Sequence, residues 1–453
     1  MNNPHPFESV SVLFMHQEQI FAVQRQPYLL AFPGYHAFPG GKIDASESST
    51  PFETKFLCEH NSLRMHALQR EIIEELGYDL EEGIRNGEVL SVSELAEALA
   101  PPFSPVRFRT WFYRIDLKER INFKADSGEF TSSFWSSAKE MLDNFHSGKS
   151  LMVPPTRWVL AGLLKNPLAT EFGDLSQNFA EEYRVPCMEM LDGIPMFAVR
   201  SDTLPPASRT NVFLLGDTDS AKLLVDPSPN SEEEFQRLQN TIKDKEIDAI
   251  FLTHHHPDHH QFSNQLALKL KIPIILSQDT QQRLTEKHGE SFFEDVELRN
   301  SSENEKVTHW HGSVVRVYEI PGHDAGQLGL APDSMAWFIV GDLIQGIGTV
   351  VISAPEGDMA TYFDTLEKVI VLNPEVIIPS HGIPMRSTHR LQETLKHRRE
   401  RELQILKLHK SGKSKKDILD QLYAEVDPRL HHLAMKNIES HLVKLHKENR
   451  INI

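Results

Sequence analysis

At 453 residues the chain is long enough for two to four domains of roughly 100–200 residues each, which excludes a disulfide-stapled miniprotein. Hydrophobic residues at 40% and charged residues at 25% give the balance of a soluble globular protein, and 47 Lys or Arg against 64 Asp or Glu leave a net charge of −17, a poor profile for general nucleic-acid binding. Two cysteines, Cys58 and Cys187, exclude a disulfide framework and a thiolate zinc site, whereas 23 histidines raise the question of bound metal.

The opening segment lacks the basic and apolar parts of a signal peptide, and no apolar run approaches the ~18 residues of a membrane span. The expectation is a cytoplasmic chain with no membrane partner. In chain order, alternating apolar and polar positions at 10–15 and 19–25 predict half-buried strands, followed by an amphipathic helix over Ser62 to Leu76. Another strand is predicted at 106–116, and a proline-started helix at 151–164 closes a first domain, taken as residues 7–168. From 186 to 385 short Val/Ile/Leu-rich strands alternate with helical segments such as 231–245 and 362–372, the pattern of an α/β architecture. From Pro384 onward the pattern turns helical, with helices predicted at 388–410, 414–422 and 431–448 and a short strand at 450–453. There 16 Lys or Arg face 9 Asp or Glu, so a tail of +7 follows a body of −24; residues 386–453 read as a small winged-helix-like module. The expected fold class is a multidomain α/β and α+β chain.

The first chemical constellation lies on the predicted helix 62–76. Glu71, Glu74 and Glu75 fall on one side of it, because residues three and four apart are neighbours, and like charges so crowded cost stability unless a cation neutralises them. Carboxylate oxygens suit Mg²⁺ or Mn²⁺ together with substrate phosphates; Arg70 can pair with a glutamate, and Gly77 supplies a positive-φ helix stop. Alone, this is a solvated acidic face; with Pro39-Gly40-Gly41 and Glu47 before it, the region resembles the Nudix box. Gly41 to Glu47 matches that box's first spacing and Arg70 to Gly77 its second half, but 22 residues (48–69) stand where the family has seven, an insertion of 15. The insertion, and the segment from Pro101 to Thr110, look similar to a subgroup that includes coenzyme A diphosphatases. The resemblance implies an α/β/α sandwich that cleaves nucleoside-diphosphate-linked or coenzyme A-like pyrophosphates, with Glu74 and Glu75 catalytic and Glu129 a candidate base from a later loop.

The second constellation follows the predicted strand 248–253. His254, His256, Asp258 and His259 offer imidazole and carboxylate on one tight loop, and three more candidates, His323, Asp342 and His381, each sit at the end of a predicted strand. One of these alone would be a strand-end turn; the set from 186 to 385 resembles the metallo-β-lactamase superfamily, including its glyoxalase II-like members. That resemblance implies an αββα fold with two Zn²⁺, one on His254, His256 and His323, the other on Asp258, His259 and His381, with Asp342 between them. It further implies attack by a zinc-bound hydroxide that Asp258 helps to orient, and a supporting role for Asp226; His/Asp sites also accept iron or manganese. His255 and His260 are expected to flank the site without ligating.

Residues 397–406, Ala434 to Ile438 and His441-Leu442 look like the C-terminal region of the beta-lactamase-like protein 2 group, some members of which cut single-stranded RNA. Gly412-Lys413-Ser414 is not a phosphate-binding loop, because Lys407 stands where the earlier glycine belongs. The expectation is therefore a zinc-dependent ester or thioester hydrolase fused to a Nudix-type pyrophosphohydrolase. The alternative is an endoribonuclease that holds single-stranded RNA through its basic tail, with the Nudix-like domain a ligand sensor.

Overall fold

A computed structural model describes residues 5–102, 104, 107–177 and 179–452; Val106 in the predicted strand, the predicted Ile453, and parts of the 101–110 segment lie outside the described residues. The chain divides into two compact units, one of residues up to 179 with Glu189–Asp192, the other of Ala180–Met188 with 193 onward.

The first unit runs β1 (Phe7–His16), β2 (Gln19–Arg25), β3 (His36–Ala37), α1 (Ser62–Leu76), α2 (Leu80–Arg85), β4 (Val89–Leu99), β5 (Phe108–Leu117), β6 (Phe130–Ser137), α3 (Ala138–His146), α4 (Pro154–Lys165) and β7 (Gly173–Asp174). Its mixed sheet has the order β3-β2-β1-β5-β4-β7, with β6 also on β2. The long parallel register of β1 on β5, Phe7 opposite Phe108 through Met15 opposite Asp116, makes the centre of the sheet. Alternation along β1 sends Val10, Val12 and Phe14 against Leu68, Ile72 and Leu76 of α1, and Leu13 and Met15 against Phe145, Val159 and Leu163 of α3 and α4. Both faces are thus covered by helices. At roughly 1.5–3 kcal/mol per fully buried large apolar side chain, this two-sided core fixes the pitch of α1 against the sheet. Asn61 caps α1 by accepting from Arg64 N, and Gly77 ends it in the left-handed region at φ 63°.

The second unit continues with β8 (Cys187–Met188), β9 (Met196–Arg200), β10 (Arg209–Leu215), β11 (Leu223–Val225), α5 (Glu232–Ile242), β12 (Ala249–Phe251), α6 (Pro257–His260), α7 (Ser263–Leu270), β13 (Ile274–Leu276), α8 (Gln278–His288), β14 (Leu298–Asn300), β15 (Lys306–Trp310), β16 (Ser313–Glu319), β17 (Leu328–Pro332), β18 (Phe338–Ile339), α9 (Met359–Leu372), β19 (Val376–Ile378), β20 (Met385–Arg386), α10 (His389–Lys410), α11 (Lys415–Leu422) and α12 (His431–Lys447). One sheet has the order β14-β13-β12-β11-β10-β9-β8, the other β15-β16-β17-β18-β19-β20. Helices α5, α7 and α8 cover the first through Phe235, Leu238, Leu266 and Leu284, and α9 and α10 cover the second through Tyr362, Leu366, Val369 and Leu391. The alternate residues Phe213, Val225 and Phe251 of the first sheet and Val317, Leu330 and Ile378 of the second are also buried, as two sheets face to face require. Backbone bonds Leu328 N to Thr253 O (2.8 Å) and Asn211 N to Ser380 O (2.8 Å) join the sheets at their strand ends.

The C-terminal helices form their own small core of Ile405, Ile418, Ile438, Leu442 and Leu445. The strand expected at 450–453 is not formed over 450–452. Instead Asn449, at φ 56°, and Arg450 close α12 with bonds to His446 O and Leu445 O, and Ile451 folds back into this core. No helix among the described residues is long and apolar enough to cross a membrane.

Candidate metal centre

The second site is built at strand ends, where the chain leaves the buried sheets and side chains from distant segments can converge. The loop after β12 supplies His254 and His256, and the short helix α6 that follows supplies Asp258 and His259; His323 follows β16, Asp342 follows β18, and His381 follows β19. Among the described residues four groups have their donor atoms within 4.8 Å of one another: His254, His256 and His323; Asp258, His259 and His381; His254, His259 and Asp342; and, sharing His256 with the first, His255, His256 and Asp324. Asp342 stands between the first two, its carboxylate 3.4 Å from His381 Nε2, 3.7 Å from His259 Nε2 and 3.9 Å from His323 Nε2. Every histidine expected as a ligand is in this cluster.

Each ring is anchored on its outward nitrogen. Thr253 Oγ1 donates to Asp226 Oδ2 at 2.6 Å, so it accepts from His254 Nδ1 at 3.0 Å. His259 Nδ1 donates to Asp226 Oδ2 (2.8 Å), His323 Nδ1 to Val351 O (3.0 Å), His381 Nδ1 to Arg209 O (2.9 Å) and His256 Nε2 to Glu356 Oε2 (3.3 Å). Such bonds choose the tautomer, leaving each inward nitrogen to offer a lone pair. Accordingly His254 Nε2 and His323 Nε2 each lie 3.0 Å from His256 Nδ1, too many acceptors in one place unless a cation joins them. His259 Nε2 and Asp342 Oδ1 are buried without a hydrogen-bond partner. Buried polar atoms normally find partners, so this donor set fits metal ions.

Asp226 holds the arrangement from beneath, taking Thr253 N on Oδ1 at 2.8 Å and His259 on Oδ2. Its backbone is in the left-handed region at φ 50°, a conformation that aims the carboxylate back under the loop. The sequence did not reveal two further carboxylates. Asp324 Oδ2 lies 2.5 Å from His255 Nδ1, and Glu356 reaches both His256 and, at 3.5 Å, His255 Nε2. His255 and His260 are therefore buried supports rather than surface residues; His260 Nδ1 donates to His256 O at 2.8 Å.

Electrostatics divide the cluster. Burial, reinforced by neighbouring imidazoles, pushes the pKa of His254 well down and that of His323 to about 4. For His259 burial is opposed by Asp258, Asp226 and Asp342, which lift it to about 9; Asp342 and Asp258 likewise lift buried His381 well above its ordinary value. Burial opposes ionisation of Asp258 and Asp342, yet the adjacent imidazoles hold both below the usual carboxylate range. His259 thus carries a proton in the metal-free chain at pH 7, and its raised pKa stabilises the chain fully below about pH 6.5, an effect lost as pH rises through about 9; the raised His381 acts in the same direction. Metal must displace the His259 proton. Loading at pH 7 is expected to release at least one proton, and affinity to climb with pH. Titration calorimetry in buffers of different ionisation enthalpy measures the number.

In the first unit, α1 presents its glutamates beside the Gly40-Gly41 turn. Glu75 is buried and accepts from Gly40 N at 2.8 Å, and a side chain on Gly41 would strike the Glu71 carboxylate. Despite the long insertion, Glu47 comes back to this helix: Arg70 Nε donates to Glu47 Oε1 at 2.7 Å, while Nη1 donates to both Glu71 (2.9 Å) and exposed Glu74 (3.0 Å). Among the described residues Glu71, Glu74 and Glu75 do not bring three oxygens within 4.8 Å of one another. Burial raises the Glu71 pKa and, helped by the charges of Glu71 and Glu129, lifts Glu75 to about 8. Glu129 reaches the group from the loop before β6, 3.9 Å from Arg25.

Residues 205–381 match the model of the metallo-beta-lactamase superfamily, and residues 414–452 that of the beta-lactamase associated winged helix domain. The chain is 28% identical over 261 residues to a beta-lactamase-like protein 2 homolog of Drosophila melanogaster, covering 54% of this chain and 84% of that protein. It is 28% identical over 172 residues to a hydroxyacylglutathione hydrolase of Wigglesworthia glossinidia brevipalpis, covering 37% of this chain and 59% of that protein. A crystal structure of a NUDIX hydrolase from Alicyclobacillus acidocaldarius aligns at TM-score 0.30 and 20% identity, covering 36% of this chain and 93% of that one. With its His/Asp cluster at the strand ends, this chain carries a metallo-beta-lactamase superfamily domain, of a superfamily made up generally of hydrolases, followed by a beta-lactamase associated winged helix domain.

Proposed function

We propose that residues 186–385 form a hydrolase with a dinuclear zinc centre acting on an ester or thioester of a small molecule. The observation that carries this reading is the pair of three-residue ligand groups with Asp342 between them. His254, His256 and His323 would hold one ion, Asp258, His259 and His381 the other, and Asp342 would touch both. When bound, the ions supply a water acidified to near-neutral pH and positive charge for the oxygen that becomes anionic. Around them this chain's residues orient and hold protons. Asp258, ionised and only slightly exposed, can direct the attacking water and accept its proton at a carboxylate oxygen, while Asp226 and Thr253 keep His259 and His254 aimed inward. One relative's name, hydroxyacylglutathione hydrolase, supports an acyl compound as substrate.

The basic tail argues somewhat less for RNA than its charge suggests, because at least five of its sixteen cations are paired within the protein. Arg399 pairs with Glu367, Lys415 with Glu439, Lys447 with Asp358, and Lys444 and Arg450 with buried Glu402. The test is a zinc-loaded chain assayed against thioesters, esters and single-stranded RNA over a range of salt. Turnover of an acyl substrate with little salt dependence is expected; RNA cleavage falling steeply with salt would favour the ribonuclease reading instead.

For residues 7–168 we propose a Mg²⁺- or Mn²⁺-dependent Nudix-type pyrophosphohydrolase acting on a nucleoside-diphosphate-linked or coenzyme A-like compound. What supports it is the placement of Glu75 on Gly40 N and of Glu71 beside Gly41, with Arg70 joining Glu47, Glu71 and Glu74. Absence of Mg²⁺-dependent activity across a broad nucleotide panel would turn this unit into a ligand sensor.

A further inference from the structure

Three polar contacts tie the C-terminal helices to one short segment, residues 350–358, that lies directly behind the histidine cluster. Asn437 Oδ1 on α12 accepts from Ile352 N at 2.9 Å, the Arg398 guanidinium on α10 donates to Val350 O, and Lys447 Nζ donates to Asp358 Oδ2 at 2.7 Å. The same segment makes three contacts toward the cluster. Val351 O accepts from His323 Nδ1 at 3.0 Å, Glu356 holds His256 Nε2 at 3.3 Å, and Asp358 N donates to Gly322 O, beside His323, at 3.0 Å. Val351 is therefore gripped from the helices at both neighbouring residues. Asn437 and Arg398 are themselves buried, where an unpartnered amide or guanidinium is costly, so the grip is tight rather than incidental. Gly322 adds to the constraint: at φ 130° any side chain there would run into the Tyr362 backbone of α9.

These contacts are one-sided. Both supported rings, His323 and His256, belong to the same ligand group, whereas His259 and His381 are anchored by Asp226 and Arg209 O, outside the segment. We propose that the C-terminal module is a structural part of the metal centre, with Asn437 and Arg398 as positioning residues. Through Val351 they fix the tautomer and aim of His323, and so retain the ion held by His254, His256 and His323 in preference to its neighbour. The inference rests on the reading of those three histidines as ligands. It also means that deleting the tail would loosen one ion whether or not the tail touches substrate.

The test uses the full-length chain loaded with zinc and followed by transfer to a chromogenic chelator. In Asn437→Leu one of two equivalents is expected to leave about tenfold faster or more, the other at the wild-type rate. Asn437→Asp, which keeps an acceptor oxygen for Ile352 N, restores slow release. Wild-type release of both equivalents from folded Asn437→Leu, or equally fast release from Asn437→Asp, would overturn the proposal. If Asn437→Leu does not fold, surface Lys447→Met is read in its place, with the same selective acceleration expected and unchanged release contradicting it. A wild-type chain that takes up no zinc would remove the reading of the site, and this proposal with it.

Discussion

Replacing Asp342 with alanine is expected to lower kcat/KM of the hydrolase by on the order of 10³-fold or more, about 4 kcal/mol of transition-state stabilisation. The size follows from position, because its carboxylate is within 4 Å of ring nitrogens from both ligand groups. Removing it takes a negative charge from between the two proposed cations and withdraws one of the carboxylates that lift the pKa of His259 and His381. Folding should survive, since the Asp342 backbone bond to Gln327 and the strand pairing of β18 do not involve the lost carboxylate. Steady-state kinetics beside circular dichroism separate the two effects. A folded variant with near wild-type activity would mean that the carboxylate is structural and the ions, if present, do not share it.

The second large effect is expected in the other unit. Glu75→Gln should reduce Mg²⁺-dependent pyrophosphohydrolysis by on the order of 10³-fold, because a neutral amide can neither hold the cation nor carry a proton. Glu75 is buried and protonated below about pH 8 in the metal-free chain, so a cation must first displace its proton. Wild-type Mg²⁺ affinity should consequently rise about tenfold per pH unit toward pH 8 and then level off, whereas the Gln variant should show no such rise. The raised pKa also works against stability at high pH: the ionised carboxylate is disfavoured by the fold, so the metal-free wild type loses stability as pH climbs from about 4.5 through 8, and Glu75→Gln does not share that loss. Magnesium titrations and thermal unfolding at pH 6 and pH 9 measure both.

What the sequence made legible follows from where the information sits along the chain. Helix α1 matches its expected limits because its stripe of Met65, Leu68, Ile72 and Leu76 is bounded by Asn61 and Gly77. The run of His254, His256, Asp258 and His259 declares itself because four donors fall within six residues. Strand β4 does not: Glu94 to Leu99 is rich in helix formers, and bulges at Val89/Ser91 and Glu94/Ala96 break the alternation that marks a strand. Tertiary pairing with β5 overrides both. Glu356 was equally hidden, since a lone glutamate 100 residues from His256 has no periodicity or neighbouring motif to single it out. The end of α12 differs for a local reason: the apolar and amide residues after Arg450 read as extended, but Asn449 turns Ile451 back into the core of the C-terminal helices.

The most direct test of the central claim is elemental analysis of the purified full-length chain, beside a His254→Ala/His256→Ala variant. Two equivalents of zinc in the wild type and clearly less in the variant are what the paired ligand groups predict. A wild-type chain that stays free of transition metal after reconstitution with zinc, iron and manganese would contradict the account.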